Sequence, residues 1–133
     1  MNDLQKILRK GEKAMKNLVI TEYQNQRILT TAQLAESYET TGDLISKNFN
    51  RNIDRYQEGK HFYCLEGEQL KAFKGSGQID DTLKFTSILY LWTEKGCLHH
   101  AKSLGTDKAW EVFEMLEETY FKVKEAVRDS YTI

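Results

Sequence analysis

Residues 26–66 read QRILTTAQLAESYETTGDLISKNFNRNIDRYQEGKHFYCLE. Their order decides the fold class: a strand, a short helix, a tight turn, a longer amphipathic helix and a second strand. QRILT suits a strand and runs into Thr30-Thr31, either of which can cap a helix carrying Leu34, Ala35 and Tyr38. Thr40-Thr41-Gly42 breaks that helix, and Thr41 or Asp43 can cap the next. Two helices joined by a turn and followed by a strand are how small proteins brace one helix against a nucleic acid.

The second helix is predicted over 43–57. On a wheel of about 100° per residue, with Ile45 at zero, Phe49, Ile53 and Tyr56 fall within about 80° of it and form an apolar stripe. Lys47, Arg51 and Arg55 fall near about 200°, 240° and 280°, on the far side. Asn48 and Asn50 flank these bases, and asparagine can hydrogen-bond adenine as arginine can guanine. Arg27 and Lys60, at nearby strand ends, are candidates for further phosphate contacts. Asp43, Asp54 and Glu58 dilute the positive field.

Upstream, LVITEY and QRILT form a predicted hairpin over 18–30 with Gln24-Asn25 at its turn. Residues 1–17 form a basic arm in which Lys6, Arg9, Lys10, Lys13 and Lys16 outnumber Asp3 and Glu12. Downstream, KHFYCL (60–65) is a strand and 66–73 a short helix. KGSGQIDDTLK (74–84) is a flexible loop, and 85–92 a buried strand. Thr93 and Glu94 open a helix that ends at Gly105, and Thr106-Asp107 caps a last helix over 107–128. Phe113, Leu116, Tyr120, Val123 and Val127 make a heptad-like seam there, extended backward by Trp110. From Asp107 to Asp129 seven acids face four bases, so this helix will not lie on DNA. It packs on the domain's own strands or pairs with a second copy, and a homodimer is the expectation.

The totals bound the rest. A chain of 133 residues, 40% hydrophobic, 29% charged and without proline, is one domain with its own core. The longest apolar run, Ile88 to Trp92, is too short to span a membrane, and no apolar signal follows the first charges. A cytoplasmic protein with two reduced thiols is expected. The net charge of −1 means that any nucleic-acid surface must concentrate its positive charge locally.

No catalytic constellation stands out, and neither cofactor nor metal is expected. GSG at 75–77 lies in an acidic context instead of after a strand. His61, Cys64, Cys97 and His100 have zinc-like intervals. However, His61 and Cys64 lie three apart on a strand and project to opposite faces, and Cys97 falls among core positions.

Three segments carry a family resemblance: ITEYQNQRILTTAQLAESYET, ISKNFNRNIDRYQEGKHFYCLEG and LYLWTEKGCLHHAKSLGTDKAWEVFEMLEETYF. In this order they resemble the ORF-six N-terminal domain, a relative of the KilA-N and Bro-N domains of phages and large DNA viruses. The specific combination is RILTTxxLAxxY, then FNRNxxRY leading into GKHF. The resemblance implies a compact α+β module of phage antirepressor-like and regulatory proteins, considered DNA-binding. It carries over Arg51 and Asn52 of the N-R-N motif and Arg55 of D-R-Y. By the wheel, Asn52 lies at the edge of the apolar stripe, where a structural hydrogen bond is its alternative use.

The reading is therefore an α+β domain over 18–133: a winged-helix-like helix–turn–helix unit on a small sheet, with a long C-terminal helix. It is expected to bind double-stranded DNA through Lys47, Asn48, Asn50, Arg51 and Arg55, helped by Arg27 and Lys60, as a phage-derived regulator. The alternative is a phage interaction factor that binds a repressor or host protein, which the balanced charge and the acidic last helix favour.

Overall fold

The computed structural model describes residues 20–79 and 81–122. The basic arm over 1–17 and the last helix beyond residue 122, with Val123 and Val127, lie outside them.

The chain opens with a hairpin of β1 (Thr21–Tyr23) and β2 (Gln26–Thr30). Gln24 and Asn25 both take positive φ, 53° and 62°, which is the two-residue turn whose twist matches antiparallel strands. Helix α1 (Thr31–Ser37) starts on a capping box between Thr30 and Gln33. Thr41 caps α2 (Gly42–Arg51) by accepting from the Leu44 N–H. A single 3₁₀ turn (Ile53–Arg55) leads to β3 (Phe62–Glu66) and α3 (Gly67–Gly75). A second 3₁₀ turn (Asp81–Leu83) precedes β4 (Ile88–Trp92). Then come α4 (Glu94–Leu104) and α5 (Asp107–Leu116), which runs on as a π turn (Glu117–Phe121).

The four strands form one antiparallel sheet in the order β1-β2-β4-β3, so the protein is α+β. Strand alternation divides the core between two faces. Leu29, Phe62, Tyr90 and Trp92 face α1, α2, α4 and α5, while Ile28, Leu65, Leu89 and Leu91 face α3. Phe49 of α2 sits amid the first set. Its ring is edge-on to Tyr56, Phe62, Tyr90 and Trp92 at 5.0–5.5 Å. Burying such a ring among others fixes a helix against a sheet more tightly than area alone.

The long helix expected over 43–57 stops at Arg51. Asn52 ends it: its side-chain Nδ2 donates to the Asn48 carbonyl at 2.9 Å, where the backbone N–H of Asn52 also donates. A local side-chain bond of this kind competes with helix propagation. The wheel therefore fails beyond residue 51. Ile45 and Phe49 are buried and Tyr56 packs on the core, but Ile53 is 51% exposed. The strand expected from residue 85 begins at Ile88, and Phe85 is 90% exposed. The loop expected to be flexible is pinned. Lys74 Nζ donates to the carbonyls of Lys84 and Thr86, and Ile79 and Leu83 pack on the α3 side. Gln78 binds the outer edge of β1, accepting from the Glu22 N–H at 2.7 Å and donating to its carbonyl at 3.1 Å.

The described part of the seam points inward. Phe113, Leu116 and Tyr120 are buried in the chain's own core, and Trp110 is exposed. The Tyr120 hydroxyl inserts at the end of the hairpin, accepting from the Thr21 N–H at 3.0 Å and donating to the Ile28 carbonyl at 2.9 Å.

One junction joins the sheet to α4. Thr93 Oγ1 donates to the Lys60 carbonyl and accepts from the Gly96 N–H, and the Thr93 N–H donates to the His61 carbonyl. A Cβ on Gly96 would stand 2.0 Å from that carbonyl oxygen. Gly96→Ala is therefore expected to lower unfolding stability by about 2–3 kcal/mol, read as a shifted urea midpoint. An unchanged midpoint would refute this account of the junction.

Candidate nucleic-acid interface

Lys47, Asn50 and Arg51 are exposed on α2, and Arg55 is exposed on the 3₁₀ turn beyond it. Because Asn52 interrupts the helix, Arg55 does not continue the stripe. It turns instead toward α4. The result is a concave cleft of about 400 Å³ lined by Asn48, Arg51, Asn52, Arg55 and Tyr56 on one side and His99, Lys102 and Ser103 on the other.

Lys60 belongs to the same surface. The reverse turn that carries it is closed by reciprocal bonds: Gln57 N–H donates to His61 Nδ1 at 3.0 Å and His61 N–H to the Gln57 carbonyl at 2.9 Å. This holds the His61 and His99 rings 4.3 Å apart. Burial is the main force that lowers the pKa of both imidazoles, and the charges acting on them reinforce it. On His99 these are Lys102, Lys60 and Arg55; on His61 they include Lys60 and Lys95. None of Lys47, Arg51, Arg55, Lys60, Lys95 or Lys102 is ion-paired with a described carboxylate. A cationic field of this kind, with no described carboxylate paired to it, is what an anionic ligand relieves.

Two predicted residues are used otherwise. Arg27 is half-buried on β2, where its guanidinium donates to the Tyr120 carbonyl at 2.9 Å and lies over the Tyr120 ring at 5.4 Å. It braces the hairpin to the last helix and is not part of the cleft. Asn52 spends one N–H of its Nδ2 on ending α2, so it lines the cleft with part of its amide already engaged. The residues that the sequence reading missed are His99, Lys102 and Ser103. Their spacing of three and four is visible in CLHHAKS, where Cys97 and His100 carry the more conspicuous, metal-like interval. Both of these are buried, and among the described residues no group of three His, Cys, Asp or Glu side chains gathers.

The sequence model of one family, the ORF6N domain, matches residues 18–103. That range runs from the hairpin to Ser103 and so includes both sides of the cleft, while α5 lies beyond it. No curated protein and no solved structure matches the chain. None of the described helices is long and apolar enough to cross a membrane.

Behind the cleft, His100 is fully buried with its ring edge-on to Trp92 at 4.3 Å, and neither nitrogen has a hydrogen-bond partner among the described residues. Burial pushes its pKa from 6.5 to about 4. Between these values the unfolded chain takes up a proton that the folded chain refuses. Stability is therefore complete above pH 6.5 and falls as pH drops toward 4, by about 3 kcal/mol for this group alone. His61 and His99 act in the same direction. Urea midpoints measured from pH 7 to 4.5 should fall, and His100→Met should flatten the fall. Identical slopes for the two proteins would refute the role given to His100.

Proposed function

The chain belongs to the ORF6N domain family, a membership consistent with a phage-associated regulatory domain, and on that premise we propose that it binds double-stranded DNA. The observation that carries the proposal is the shared surface of α2, the turn after it and α4, where exposed cations have no described acidic partner and stand beside amides. In this reading α1, its turn and α2 act as a helix–turn–helix unit. Helix α2 spans ten residues, about 15 Å, which suits a major groove about 12 Å wide. Lys47, Asn50 and Arg51 would face the base edges, with Arg55, Lys60 and Lys102 toward the phosphates.

About three phosphate contacts would make log K fall with log[salt] at a slope near −3. Arg51→Ala should cost about 1–3 kcal/mol if the side chain contacts a base, whereas Lys60→Ala should flatten the salt slope by about 1. Electrophoretic shifts on a random duplex over a salt series measure both. Retention that ignores salt and both substitutions would overturn the reading.

A second reading has its own observation. Trp110, which is 40% exposed, shares α5 with exposed Glu111 and Glu114, one and four residues further on. An aromatic anchor beside acids suits a basic protein partner. It calls for co-purification of that partner and no salt-dependent DNA retention.

A further inference from the structure

A duplex is convex, and its backbone can touch the rim of the α2–α4 cleft without filling it. Three cationic side chains, Arg51, Arg55 and Lys102, line a hollow of about 400 Å³, within the range of small-molecule sites. An internal phosphodiester brings one negative charge to them. A phosphate monoester brings about 1.5 to 2 and three acceptor oxygens, and arginine can hold these two at a time. The remaining lining is polar or aromatic: the Asn48 and Asn52 amides, the Ser103 hydroxyl, the His99 imidazole and the Tyr56 side chain. The Tyr56 hydroxyl lies close to Ser103 but makes no well-formed hydrogen bond with a described residue. Burial raises its pKa to about 12, so it stays protonated behind the cleft wall. Charge enough for a monoester thus adjoins donors and acceptors suited to a sugar or base.

We propose that the cleft between α2 and α4 binds the 5′-phosphate of a nucleotide, together with part of the attached nucleoside. The nucleotide is either free in solution or at the end of a DNA strand, since both offer the same chemistry. The inference deepens the DNA-binding reading, sharing Arg51, Arg55 and Lys102 with it, but His99 and Ser103 serve only the cleft, from α4. Burial lowers the pKa of His99 and Lys102, Lys60 and Arg55 reinforce it; a bound dianion offsets these cations, so its binding draws a proton toward that ring.

The test uses the full chain and five probes: AMP, adenosine, inorganic phosphate, and one blunt duplex with either 5′-phosphate or 5′-hydroxyl ends. Calorimetry in two buffers of different ionisation enthalpy gives affinity and proton uptake together. AMP is expected to bind at least about tenfold more tightly than adenosine or phosphate, with more net proton uptake than the His99→Gln protein shows under the same conditions. Lys102→Ala should weaken it about tenfold, and His99→Gln should lower the net uptake while affinity changes less. AMP binding with no preference between the duplexes assigns a free nucleotide. A preference for the phosphorylated duplex assigns a strand end. AMP binding no better than adenosine or phosphate overturns the proposal, as does a folded Lys102→Ala protein with unchanged affinity. The 5′-hydroxyl duplex reads the DNA proposal separately: if it fails to bind while AMP binds, that proposal falls and the cleft remains.

Discussion

The cleft side of the molecule depends on the contact between Gly96 and the carbonyl of His61. At 2.0 Å from where a side chain would begin, α4 can approach the 57–61 turn so closely only because residue 96 has none. Thr93 completes the junction by tying the Lys60 carbonyl to the helix start and the His61 carbonyl to the strand end. These bonds set the distance between two elements far apart in sequence. They also orient His61, whose Nδ1 must stay unprotonated to accept from Gln57. Burial, then the neighbouring His99 and Lys60, lower the basicity of the imidazole held in this turn.

The sheet depends on this junction from the other direction. Trp92 is the last residue of β4, and the chain turns into α4 directly after it. Its indole N–H donates to the Thr31 hydroxyl, while its ring meets Phe49, Tyr56 and His100. Helix α1, helix α2, the turn after α2 and α4 therefore all register against one side chain. Such a centre leaves little freedom to slide α2 relative to α4, and that rigidity makes the cleft between them a defined shape.

The sequence could be read where the signal was local. Strand alternation, the Gln24-Asn25 turn and the Thr caps each depend on a few neighbouring residues, and the α+β class followed from them. It could not be read where two distant residues decide. Ile53 fits the apolar stripe by angle, but Asn52 ends the helix first. Arg27 looks like a free cation until Tyr120, 93 residues later, accepts its hydrogen bond. His99 and His100 are adjacent and identical in type, and only the packing of α4 decides which faces the cleft and which is buried. The net charge of −1 concealed a segregation, with the cations on α2 and α4 and an excess of acids on α5.

The amide of Gln78 has a consequence for assembly. Within β1 the Glu22 main chain is the part that faces away from β2, and a side-chain amide donates to it and accepts from it much as a neighbouring strand would. The sheet is thereby closed to strand addition on that margin, without a further strand. Runaway edge-to-edge growth is blocked there, and an extended peptide cannot be recruited by extending the ladder. Partners on this side of the molecule must be recognised by side chains.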